Sequence, residues 1–217
     1  AANTTGTRNI GIGKAAYDAS DTENDNLAIG YNAMTTNTAG GTLNVAVGNY
    51  ALDALTSGDQ NVAVGHVALG ALNTGGENTA VGDQAGQALT SGAQNTAMGT
   101  YALDHTTTAD TNTAIGYATL NVNTTGAGNV AVGANALDAN TTASQNTAVG
   151  TGALGANTDG TYNTAVGANA LLANTTADQN TAVGTFALDA NTTGANNTAL
   201  GTSALGANTT ASNNVAI

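Results

Sequence analysis

The chain has 217 residues, of which 7% are charged and 3% aromatic, with 29 Gly, no Pro, no Cys and a formal net charge of −12. Arg8 and Lys14 are its only basic residues, so a nucleic-acid phosphate backbone has almost nothing to bind. No apolar run approaches the ~18 residues that cross a bilayer, so membrane insertion is not expected, and without Cys there is neither a disulfide frame nor a thiolate site.

Residues 1–25 open the chain irregularly. Asn3-Thr4-Thr5-Gly6 reads as the second half of a repeat unit. Arg8, Lys14, Asp18, Asp21, Glu23 and Asp25 crowd the first coil with charge, as a junction to a neighbouring domain would, and a solvated irregular coil explains them equally well. A pentad Asn-x-Ala/Gly-x-Gly then opens at Asn9, Asn26, Asn44, Asn61, Asn78, Asn95, Asn112, Asn129, Asn146, Asn163, Asn180 and Asn197, with a truncated copy at Asn214. The 17-residue step recurs throughout, except that the step from Asn26 to Asn44 is one residue longer. Residues 1–217 therefore read as one repeat array, cut mid-unit at both ends, as expected of an excerpt from a longer repeat array.

Each unit reads like Asn180–Asn196, N-T-A-V-G-T-F-A-L-D-A-N-T-T-G-A-N. Thr-Ala-Val alternates as a short strand does, and recurring Asn, Thr and Gly disfavour helix. The pentad glycine is invariant at Gly13, Gly30, Gly48, Gly65, Gly82, Gly99, Gly116, Gly133, Gly150, Gly167, Gly184 and Gly201, which predicts a corner with positive φ or a close backbone approach. A-L-x-A gives a second short strand, and N-T-T-G the return turn. The fold class is all-β: a parallel β-solenoid, or β-roll, of about 13 short coils, a rod of roughly 60 Å at the ~4.8 Å strand spacing.

Inside such a coil the first-strand Val meets the second-strand Leu, as Val132 with Leu137, Val149 with Leu154 and Val183 with Leu188. Asn at unit positions 1 and 12 forms ladders whose amides bond from coil to coil. At position 10 no two adjacent coils both carry Asp, which avoids stacked like charges. Position 15 alternates Gly92, Ala109, Gly126, Ala143, Gly160, Ala177, Gly194, Ala211, a 34-residue double unit read as duplication of paired units. Ala dominates position 3 (Ala131, Ala148, Ala165, Ala182) and position 8 (Ala136, Ala153, Ala170, Ala187). These small faces predict close sideways association into an intertwined or side-by-side homotrimeric fibre.

The pentads Asn44–Gly48, Asn61–Gly65 and Asn129–Gly133 resemble the S/N-V-A-I-G repeat of trimeric autotransporter adhesin heads, which are trimers of left-handed parallel β-rolls with a 14-residue unit. The full 17-residue form is similar to repeats in the tail fibres of tailed phages. The resemblance implies a structural and adhesive shaft segment of an extracellular fibre on a virion tail or cell surface. It also implies a cell-surface glycan or protein receptor as partner. A bacterial trimeric surface adhesin and a self-stacking filament are the alternatives.

Sites for chemistry are sparse. His66 and His105 fall at different unit positions and read as exposed turn residues, since a metal site needs three or four converging ligands. Asp53 with Asp59, or Asp104 with Asp110, has the composition of a glycosidase pair, but the acids lie on scattered coils without a unique cleft, so no enzyme, metal or cofactor is expected. Gly11-x-Gly13 is a repeat corner with no βαβ context. Asn3, Asn140, Asn174, Asn191 and Asn208 begin formal glycosylation sequons within repeat turns. Tyr31, Tyr50, Tyr101, Tyr117 and Phe186 follow the corner glycine as candidate exposed contact aromatics, with shielding of the rod edge as the plainer role. Thr79, Thr96, Thr113, Thr147, Thr164, Thr181 and Thr198 share position 2, a single Thr column that leaves ice binding as a lesser possibility.

Overall fold

Thirteen strands occur in chain order: β1 Ile10–Ile12, β2 Leu27–Ile29, β3 Val45–Val47, β4 Val62–Val64, β5 Thr79–Val81, β6 Thr96–Met98, β7 Thr113–Ile115, β8 Val130–Val132, β9 Thr147–Val149, β10 Thr164–Val166, β11 Thr181–Val183, β12 Thr198–Leu200 and β13 Val215–Ala216. The computed structural model describes residues 5–19, 22–37 and 40–217, and no helix occurs among them. Asn3 of the first sequon and Asp21 of the charged first coil lie outside the described residues. The chain divides into two compact units, Ala1–Thr111 with β1–β6 and Asn112–Ile217 with β7–β13. In each unit every strand pairs in parallel with the next, as Thr164 with Thr181 and Ala165 with Ala182. The step between β2 and β3 is one residue longer, Leu27 standing beside Val45. The chain is thus an all-β parallel β-solenoid with a 17-residue coil.

Each strand ends at its pentad glycine, where φ runs from 125° at Gly133 to 143° at Gly82. A Cβ on Gly150 would lie 2.5 Å from the carbonyl oxygen of Gly167 in the next coil, so both backbone angle and stacking distance require glycine.

The expected second strand does not form. Positions 7 and 9 are left-handed in nearly every coil, as at Asn135 (φ 55°) and Leu137 (φ 51°), so A-L-x-A is a turn. A bulky residue costs about 1–2 kcal/mol in that region. Burying a Leu side chain contributes about 1.5–3 kcal/mol, which offsets the strain. Leu137, Leu154, Leu171 and Leu188 are fully buried. The turn still bonds along the stack: the Leu137 N–H donates to the Ala153 carbonyl at 3.0 Å and the Ala139 N–H to Gly155 at 3.1 Å. Backbone groups are therefore satisfied all round the coil, and not by strands alone.

The core differs from the expected Val–Leu pairing. In a three-residue strand only the central side chain faces inward. Ala131, Ala148, Ala165 and Ala182 are completely buried, whereas Val132 and Val149 are half-exposed and Val166 is exposed. Ala136, Ala153, Ala170 and Ala187 are buried with them. The small faces expected to meet neighbouring chains are therefore the interior of a single coil. The thin coil has room for a methyl where a larger group was expected.

The asparagine ladders run as the spacing predicts. Asn44 Oδ1 accepts from both the backbone N–H and the side-chain amide of Asn61, at 2.9 and 3.1 Å, and Asn61 Nδ2 also donates to the Gly75 carbonyl. A second ladder at position 12 joins Asn140 to Asn123 at 2.8 Å and Asn157 to Asn140 at 3.2 Å. Among the described residues of the first unit that column is Asn37, then Leu55, Leu72 and Leu89, and then Thr106. Asn37 Oδ1 is the one buried side-chain polar atom without a partner among the described residues.

The 34-residue period has a physical basis. At position 16 the backbone N–H of one coil donates to a side chain of the next: Ala93 to Asp110 at 2.7 Å, Ala127 to Ser144 at 3.0 Å, Thr161 to Asp178 at 2.6 Å and Ala195 to Ser212 at 2.9 Å. In the same leading coils a Cβ on Gly92, Gly126, Gly160 or Gly194 would lie 2.2–2.4 Å from the following coil's position-15 carbonyl. Leading and following coils therefore have different requirements at positions 15 and 16.

Candidate functional site

Three surfaces outside the core bear on function. The first is the outer face of the strands, where positions 2 and 4 project. Position 4 is aliphatic in every coil and includes Met98 (43% exposed), Ile115 (38%) and Leu200 (48%). Position 2 carries Thr113, Thr147, Thr164, Thr181 and Thr198 in the second unit, interrupted by Val130.

The second surface is the corner after the pentad glycine. The chain turns there with its side chains outward, and successive coils bring like positions together. Lys14 Nζ lies 5.8 Å from the centroid of the Tyr31 ring. Tyr31 and Tyr50 meet edge to face at 5.3 Å, and Tyr50 meets His66 likewise at 6.3 Å. His66 Nδ1 lies 2.9 Å from Asp83 Oδ1. Desolvation first, then Tyr31, raises the pKa of the Tyr50 hydroxyl. Of the five candidate aromatics, the stack unites Tyr31 and Tyr50. Tyr101 holds the same column as Tyr50 three coils on. Tyr117 and Phe186, 56% and 42% exposed, stand four coils apart in the second unit.

The third surface is a pair of grooves that the sequence analysis did not single out. Positions 7, 10 and 11 flank the turn over the buried Leu. In the first unit Val67, Gln84, Asp53, Gly70, Gln87, Asp104, Ala71, Ala88 and His105 line a shallow groove of about 550 Å³. In the second unit the same columns, with Asn135, Asp138, Gly152, Gly155, Asn169 and Leu172, line one of about 780 Å³. Each groove opens where position 10 is glycine beside an Asp of the preceding coil, Asp53–Gly70 and Asp138–Gly155. The available signal was this missing side chain in a variable column. Burial raises the pKa of Asp53, Asp104 and Asp138.

These carboxylates do not make a catalytic pair. Asp53 and Asp104 stand three coils apart, ~14 Å at the usual strand spacing, and glycosidase carboxyls lie within roughly 9.5 Å of each other. Asp59 and Asp110 are engaged elsewhere: Asp59 accepts from the Thr42 N–H and hydroxyl, and Asp110 from the Ala93 N–H. His105 Nδ1 lies 3.8 Å from Asp104 Oδ2. No group of three or more His, Cys, Asp or Glu able to hold a metal occurs among the described residues. Arg8 and Asp25 form an exposed ion pair, with Arg8 Nη2 2.7 Å from Asp25 Oδ2, which lowers the Asp25 pKa.

No protein-family model, curated protein or solved structure matches the chain.

Proposed function

We propose that the chain is a structural and adhesive shaft segment of an extracellular fibre, the tail fibre of a tailed phage being the first choice and a bacterial trimeric adhesin or self-stacking filament the alternative. The observation that carries this reading is the outer strand face. A parallel sheet ordinarily has both faces covered, yet here the outward column at position 4 is aliphatic in every coil. Six or seven strands, each ~10 Å long at ~4.8 Å spacing, present about 300 Å² per unit. Association into a homotrimer would cover this face, in place of the Ala columns already occupied inside the coil.

The test is the mass in solution by light scattering coupled to size exclusion. A mass near three chains is expected, falling toward one chain when Val149 and Val166 are both changed to Lys with the circular dichroism spectrum retained. A compact single-chain mass for the unaltered protein overturns the trimer. Ice binding is the second reading, because position 2 turns its Thr column outward beside a second outward column. The mixture of Val, Ile, Met and Leu at position 4 fits a soft apolar partner better than a regular crystal lattice, so thermal hysteresis is expected to be absent.

A further inference from the structure

We infer that the two grooves are binding sites for an uncharged saccharide chain laid along the stack. The inference rests on the fibre reading and names the chemistry by which such a shaft would hold a surface. Both grooves arise independently from the same columns, one in each unit. Each has an apolar floor of small residues: Val67, Ala71 and Ala88 in the first, Ala139, Ala156 and Ala173 in the second. C–H faces of a sugar ring can lie on such a floor. Planar amides line each groove beside these residues, Gln84 and Gln87 in one and Asn135 and Asn169 in the other, and offer both donors and acceptors.

The first groove is bounded by Asp53 and Asp104, three coils and ~14 Å apart, the span of a short oligosaccharide. Tyr50 and Tyr101 occupy the neighbouring column in the same two coils. Half-buried carboxylates accept hydrogen bonds and repel anions, and the whole chain carries −12, so an acidic polysaccharide is disfavoured. A point cation would need several ligands converging, but Gly70 and Gln87 are all that separate the two carboxylates along their column. A neutral polyhydroxyl ligand supplies hydroxyl donors at both ends and an apolar face between.

The test is saturation-transfer and titration NMR of the intact chain with short uncharged oligosaccharides of the gluco, galacto and N-acetylglucosamine series. Acidic oligosaccharides and an oligolysine peptide serve as comparison probes. At least one neutral oligosaccharide is expected to bind. Filling the grooves with Gly70→Gln and Gly155→Leu should weaken it about tenfold or more, a loss of about 1.4 kcal/mol. Gln87 and Leu172 occupy position 10 in other coils, but a Cβ on Gly70 would lie 2.6 Å from Val67 Cγ1 and one on Gly155 3.2 Å from the Gly152 carbonyl, so Gly70→Gln is paired with Val67→Ala and a retained circular dichroism spectrum is required of each variant. Absence of binding by every neutral probe, binding indifferent to the filled grooves, or preference for the acidic or basic probe overturns the inference. A trimer that binds no saccharide sinks the grooves and leaves the fibre reading standing. A single-chain species whose binding is lost on filling does the reverse.

Discussion

Asn37 and Asn123 occupy the same place in the coil and differ in their neighbours. Asn123 Oδ1 accepts from Asn140 of the next coil at 2.8 Å. Asn37 is followed by Leu55 in that column, and its Oδ1 is left buried without a partner. A buried unpaired acceptor costs about 1–3 kcal/mol, whereas an apolar group of similar shape avoids the penalty. The Asn37 amide donates to the Gly41 carbonyl, but Asn26 also donates there, so that carbonyl stays satisfied without Asn37. Asn37→Leu should extend the Leu55–Leu72–Leu89 column and raise stability by about 1 kcal/mol. A thermal melt checks it, and an unchanged or lower midpoint contradicts the account. The sequence announced the asparagine ladders through spacing alone. It did not announce the orphaned atom, because that depends on which residue the next coil supplies.

At the scale of the coil, the legible features were those carried by period. The strand T-A-V, the corner glycine and the stack itself follow from recurrence and local propensity. The second strand was misread because A-L-x-A alternates in polarity as a strand does. The left-handed angles at positions 7 and 9 become tolerable only when the Leu is buried by the coils above and below. The core was misread for a related reason: Val is more apolar than Ala, but the pentad corner fixes which side of a three-residue strand faces in. The coil pair gives a direct test. Ser144 Oγ accepts from the Ala127 N–H. Ser144→Ala should cost about 1 kcal/mol. Ser144→Asp should be tolerated, since Asp110 and Asp178 occupy the equivalent place. Chemical denaturation of the two variants separates them, and equal losses would contradict the pairing.

For the whole molecule, the balance of acids sets the response to pH. Burial raises the pKa of Asp53, Asp104 and Asp138, and Arg8 lowers that of the exposed Asp25. A carboxyl whose folded pKa lies above its unfolded value binds more protons when folded, so it favours the fold as pH falls through that window. The raised Asp53, Asp104 and Asp138 thus oppose the lowered Asp25, whose ion pair solvent screens. Protonation also relieves the net charge of −12. The melting temperature should therefore rise as pH is lowered from 7 toward the ordinary carboxylate range near about 4. Asp138→Asn should raise the neutral-pH midpoint and flatten the profile. A midpoint that falls steadily on acidification to that range contradicts this. The grooves were legible only in part: the 17-residue register already sets Gly70 beside Asp53, but the hollow also needs the left-handed turn that brings positions 7, 10 and 11 to one face.

The pairing of leading and following coils makes the array a ruler with a coarse graduation. Removing or inserting one coil within the run that begins at Asn78 sets two leading or two following coils side by side. Backbone donors such as the Ala127 N–H then lose their acceptor, and glycine and alanine fall out of phase. Adding or removing two coils keeps positions 15 and 16 in phase. Arrays built from this unit should therefore lengthen by recombination one coil pair at a time, and their length would be inherited in even increments.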